Sequence, residues 1–179
     1  MIGFLRRPRQ ERTGFLLYGV AVAAAREPLL YTTLAAPDTL DGRFDLVGLH
    51  AFLLMRRLAG AAPPGPALAQ AVFDAMFHDM DHTLRELGVG DLSVSKKVRQ
   101  MWEAFHGRAA AYEAALAEDA DPAALAAALA RNVWRGAAAP QAAALARLAR
   151  AQAAHLAAQP IEAFATGSAA FLPAAAALA

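Results

Sequence analysis

The chain has 179 residues, 58% of them hydrophobic and 18% charged, with a formal net charge of +1 and no cysteine. That length suits one globular domain and is short for two, and the missing thiols exclude a disulfide framework, a thiolate nucleophile and thiolate metal sites. The near-balanced charge excludes a broad polyanion-binding face, so nucleic-acid readout is not expected.

In chain order, Arg6, Arg7, Arg9 and Arg12 precede an uncharged run over residues 14–25. Twelve residues fall short of the roughly 20 that a helix needs to cross hydrocarbon. The run imitates a signal peptide with an Ala-x-Ala site before Arg26, which keeps an exported helical binding protein as an alternative. Glu11 and a helical periodicity that continues into Arg26 favour a core helix over residues 12–25, with 1–11 a flexible basic segment. A short second helix over 27–36 carries Pro28 in its first turn, and the Pro, Asp and Gly cluster at 37–43 reads as a loop. Phe44, Val47, Leu54 and Leu58 mark a third helix over 44–58, and 60–66 is a Gly/Pro linker.

The fourth helix has the clearest stripe: Leu68, Val72, Met76, Met80, Leu84 and Leu87, widened by Phe73 and Phe77 and stopped at Gly88. Ser93 or Ser95 is the expected cap of a fifth helix whose apolar positions are Val98, Met101, Trp102, Phe105, Tyr112 and Leu116. Asp121-Pro122 opens a sixth helix through Arg135, and Pro140 a seventh to about Ala158. The tail, 166–179, is Ala-rich and interrupted by Gly167 and Pro173, and reads as flexible. Fifty residues are Ala, 36 of them after position 100. The expected fold is therefore all-α: a single-domain bundle of about seven helices, with large-residue helices backed by a closely packed Ala-rich C-terminal part.

The most enzyme-like feature is His78 and His82, which share a helix face at i and i+4. A metal-dependent hydrolase would need a third ligand from His50, His106 or Asp74; the plainer reading is a polar outer strip. No nucleophile constellation stands out, and Gly88-Val89-Gly90 lacks the strand and spacing of a phosphate loop. Charge is segregated, with five acids and only Arg85 over residues 74–91 and basic residues at Arg131, Arg135, Arg147 and Arg150, a pattern that suggests docking surfaces. Lys96 and Lys97 oppose the dipole of the fifth helix and are placed to pair with Asp79, Asp81 or Glu86.

Three segments resemble the ubiquinol-cytochrome c chaperone family, whose members assist assembly of the cytochrome bc1 complex. They are Leu17-Tyr18 with Ala25-Arg26 and Leu30-Tyr31; 37–45 with Leu49-His50 and Arg57-Leu58; and Asp79-Met80-Asp81 with 84–94, Lys96-Lys97, Phe105 and Gly107-Arg108. The resemblance implies an all-helical, cofactor-free, non-enzymatic protein that binds newly made cytochrome b and, in mitochondrial members, the ribosome near its tunnel exit. It also implies a cytoplasmic location in a bacterium, at the inner face of the membrane, with peripheral membrane association. Such a chaperone needs an apolar groove and orienting charges. Met55, Met76, Met80, Met101, Phe73, Phe77 and Trp102 are groove candidates if they are not core. Recognition is expected first at Asp38, Asp41, Arg43, Asp45 and His50, and second at Asp79, Asp81, Arg85, Glu86, Asp91, Lys96 and Lys97. Against this stands a turn-shaping role for Asp38, Asp41 and Gly42, with Arg43 paired internally.

Overall fold

The computed structural model describes residues 3–137 and 139–179, with side chains from Arg9 onward. Its helices follow the apolar spacing closely, and the described residues contain no strand. They are α1 (Gly3–Ala25), α2 (Pro28–Thr32), α3 (Leu40–Ala59), α4 (Gly65–Glu86), α5 (Asp91–Ala115), α6 (Ala124–Val133), α7 (Ala142–Ala158), α8 (Ile161–Thr166) and α9 (Ala174–Leu178). None is long and apolar enough to cross a membrane.

Several boundaries differ from expectation for local reasons. The first helix is helical from Gly3 rather than from position 12, because the intervening Arg, Gln and Glu residues are good helix formers; Met1 and Ile2 lie outside the described residues. The third helix starts at Leu40, so half of the expected loop is its first turn. Thr39 Oγ1 accepts the Gly42 N–H at 3.1 Å, and a Cβ on Gly42 would lie 2.0 Å from the Pro37 carbonyl oxygen. The cap of α5 is Gly90, in extended conformation, and not Ser93 or Ser95. The Ser93 and Val94 amides already donate to the Gly90 carbonyl at 2.8 and 3.0 Å, which places both serines inside the helix.

Helices α1, α3 and α4 form the centre. The apolar run of α1 is core, with Leu17, Tyr18, Ala21 and Ala25 buried against Leu46, Leu53, Leu54, Val72 and Met76 of the same cluster. The contacts Gly14–Ala71, Phe15–His78 and Tyr18–Asp79 advance together, so α1 and α4 run in the same sense. At Gly14 the two backbones nearly touch, and a Cβ there would meet the Ala71 carbonyl oxygen at 2.5 Å. Helix α5 packs on α4, and α6 and α7 pack on each other and on α3.

The tail is docked rather than loose. Between α8 and α9 the chain runs extended along α7, where the Gln152 amide donates to the Leu172 carbonyl at 2.7 Å and accepts the Leu172 N–H at 2.8 Å. About two helical turns further on, Gln159 grips Ala170 in the same way at 2.7 and 3.0 Å. Glu27 Oε2 accepts the Ala174 N–H at 2.7 Å, at the start of α9. Gly167 and Pro173, the two breakers that suggest disorder, instead frame this bound segment: Gly167 takes the left-handed turn that ends α8, and Pro173 caps α9.

Candidate functional site

One face from each of four helices converges on a groove of about 520 Å³. Tyr18 and Val22 of α1, with Arg26 just beyond it, recur every four residues along one wall. The start of α3 contributes Leu40, Asp41, Arg43, Phe44 and Val47, and the end of α4 contributes Asp79, Met80, Thr83 and Leu84. Helix α5 presents Lys97, Gln100, Met101, Ala104 and Arg108, a stripe at helical spacing, and Arg135 enters from the segment after α6. The floor is apolar and the rim is charged.

At the base lies Asp45, whose side chain is fully buried. Its oxygens lie 2.6 Å from Arg108 Nη1 and 2.9 Å from Arg135 Nη2, within ion-pair range but not aligned as hydrogen bonds, so charge holds this carboxylate. Burial raises its pKa to about 6, against the opposing pull of the two arginines. Arg135 also stands 4.0 Å from Asp41, and the Arg108 guanidinium faces the Phe44 ring at 5.4 Å. Arg135 holds a left-handed backbone conformation, with φ at 55°, which is uncommon for a side chain with a Cβ. Its neighbour Trp134 is anchored through Nε1 to the Ala35 carbonyl at 3.0 Å. Across the groove, Tyr18 Oη donates to Asp79 Oδ2 at 2.8 Å; burial first, and then this bond, keeps the phenol protonated far above its ordinary range.

Of the residues expected to recognise a partner, Asp41, Arg43, Asp79 and Lys97 line this groove. Asp38 joins them at the rim by pairing with Arg43 at 2.6 Å, which holds the Asp38 carboxyl below its usual range. Asp45 lies beneath the surface, so it orders the arginines and does not itself face a partner. His50 requires correction as a contact residue: it is buried, with Nδ1 2.8 Å from the Leu46 carbonyl and its ring edge-on to Phe171. Desolvation depresses its pKa to about 4, leaving a neutral core imidazole.

A second group lies on the outer side of α4 and the turn after it. Arg85 pairs with Asp81 at 2.6 Å and with Asp91, and His82 lies 3.6 Å from Glu86. Lys96 and Lys97 form no ion pair among the described residues, so the expected pairing with Asp79, Asp81 or Glu86 is absent. The His78 ring packs edge-on against Phe15 of α1, and among the described residues no group of three or more His, Asp or Glu gathers to hold a metal.

Of the candidate groove residues, Met80 and Met101 line the groove, whereas Met76 is core. Phe73, Phe77 and Trp102 belong to an aromatic cluster with Phe105 and His106 between α4 and α5. Arg26, Arg108 and Arg135 were not among the expected site residues. Arg26 and Arg108 stand within the segments that carry the family resemblance, a signal that marked them without giving them a role.

The chain matches the family described as ubiquinol-cytochrome C chaperone over residues 32–171, a span that holds every groove residue except Tyr18, Val22 and Arg26. The crystal structure of the Cbp3 homolog from Brucella abortus is similar with a TM-score of 0.84 and 38% sequence identity, covering 98% of each chain. No curated protein matches. The chain belongs to the ubiquinol-cytochrome c chaperone family.

Proposed function

From that membership we propose that the protein is a non-enzymatic assembly chaperone of the cytochrome bc1 complex, holding newly made cytochrome b before its partner subunits arrive. The observation that carries this reading is the family match over residues 32–171. The groove supplies a physical means. An unassembled membrane subunit exposes apolar helix surface, and an apolar floor inside a charged rim shields it while the charges set orientation and allow release. Asp38, Asp41, Arg43, Asp79 and Lys97 are the contact residues of the groove. Asp81, Arg85, Glu86, Asp91 and Lys96 form a second surface for another subunit or for the ribosome. The working place is the cytoplasmic face of the membrane, reached peripherally.

The test is capture of tagged protein from solubilised membranes of the native host, read by mass spectrometry beside an Asp38→Lys, Asp41→Lys, Arg43→Glu variant. Recovery of cytochrome b that the variant loses supports function and site together. Loss of the gene should lower assembled bc1 complex with its transcripts unchanged; an undiminished complex would overturn the reading.

A further inference from the structure

The charge of the groove is uneven. Five cations line it, Arg26, Arg43, Lys97, Arg108 and Arg135, against the carboxylates of Asp41 and Asp79. Asp45 beneath the base neutralises one more, and its burial raises its pKa to about 6, so ionising it is already costly. Three of the cations have partners: Arg43 in Asp38, and Arg108 and Arg135 in the shared Asp45. Arg26 and Lys97 are exposed and form no ion pair among the described residues. They stand on different elements, Arg26 just past the end of α1 and Lys97 on α5, so an occupant of the groove meets a cation from each side. Asp79 Oδ2 meanwhile accepts the Tyr18 hydroxyl, which takes one of the acceptor sites that a basic ligand would use.

We infer that the segment this groove accepts is amphipathic and acidic: apolar side chains along one face, seated on Val22, Val47, Met80 and Met101, with flanking carboxylates that meet Arg26 and Lys97. The inference rests on the chaperone reading for the identity of the client and adds the chemistry of the bound segment. Charge complementarity selects this occupant, because a basic amphipathic segment would set its cations against the uncompensated guanidinium and ammonium groups.

Two synthetic helical peptides with the same Leu/Phe face, one carrying Glu and the other Lys on the remaining positions, test this against the full-length protein by fluorescence anisotropy at low and high salt. The acidic peptide should bind about tenfold more tightly, an advantage on the scale of one to two exposed ion pairs, and the advantage should shrink with salt. The double variant Arg26→Glu, Lys97→Glu should remove or invert the preference. Both side chains are exposed and unpaired among the described residues, so its thermal midpoint should match the parent and separate lost binding from lost folding. Equal binding of both peptides, or a preference for the basic one, would overturn the inference. If cytochrome b is still captured in that case, only the acidic specificity fails and the chaperone reading stands. A clear acidic preference without capture of any bc1 subunit would keep the groove chemistry and remove the client.

Discussion

Helices α3 and α4 bury mostly leucine, methionine and valine, whereas α7 buries Ala142, Ala146 and Ala149 beside its leucines. A buried alanine removes little apolar area from water, so the C-terminal half gains less hydrophobic free energy per residue. It makes up the difference with side chains that bond to backbone. Gln152 and Gln159 hold the tail, and the Arg57 guanidinium of α3 donates to the Leu156 and Gln159 carbonyls at 3.1 and 2.9 Å while lying over the Phe164 ring. Arg150 of α7 reaches the Ala115 carbonyl at the end of α5 at 3.1 Å. The two regions are thus joined in different ways: the first by volume, the second by close approach and by donors placed on the ends of helices.

This contrast can be broken from either side. Shrinking a side chain should hurt most in the first region: Leu54→Ala, at a fully buried position, should cost about 3 to 4 kcal/mol in urea unfolding. Enlarging one should hurt in the second, where Ala149→Leu at a fully buried position should cost about 2 kcal/mol by overpacking. Next comes Gln152→Ala, which strands the Leu172 amide and carbonyl at about 1 to 2 kcal/mol and should speed proteolysis of the tail. Gln159→Ala, with its Ala170 partner exposed, should cost less.

A pair of pH-dependent effects sharpens the comparison at the seam, because α3 carries both Asp45 and His50. The folded pKa of Asp45 is raised from 3.8 to about 6, so its stabilising contribution is full below its unfolded value and is lost as pH rises through about 6. That of His50 is depressed from 6.5 to about 4, so its contribution is full above 6.5 and is lost as pH falls towards 4. Between these limits the two oppose each other. Relative to the parent, His50→Asn should gain stability on acidification from pH 6 to pH 4.5 and Asp45→Asn should lose it, each by at most about 1.4 kcal/mol per pH unit. Urea midpoints at the two pH values decide it; parallel pH profiles would show that neither group titrates as its burial requires.

Much of this was legible in the sequence, because periodic apolar residues report which face of a helix is buried. The stripe from Leu68 to Leu84 and the stop at Gly88 both match α4, whereas Leu87, expected at the end of the stripe, lies just past the helix and is exposed. Missed features depend on partners far away along the chain. The tail looks free because its anchors are Gln152, 20 residues back, and Glu27, 147 residues back. Asp45 and His50 look like surface residues because polar side chains usually are, and only the fold brings Arg108, Arg135 and Phe171 over them. The groove was half visible: Asp41, Arg43, Asp79 and Lys97 were selected for their charge. Arg26, Arg108 and Arg135 became neighbours only when four separate helices met.

The near-contact of Gly14 with Ala71 gives the groove a mechanical character. With no side chain on Gly14, α1 and α4 have a close-contact fulcrum midway along α1, and Arg26 stands twelve residues further along the chain, an arm of about 18 Å at the rise of a helix. A tilt of about 5° about that point moves Arg26 by about 1.5 Å, a displacement set by the helical rise alone. The single bond from Tyr18 to Asp79, close to the fulcrum, acts as a stay on that lever. Widening the mouth of the groove therefore strains this hydrogen bond and displaces Leu17, Ala21 and Ala25 of α1, which are buried in the core.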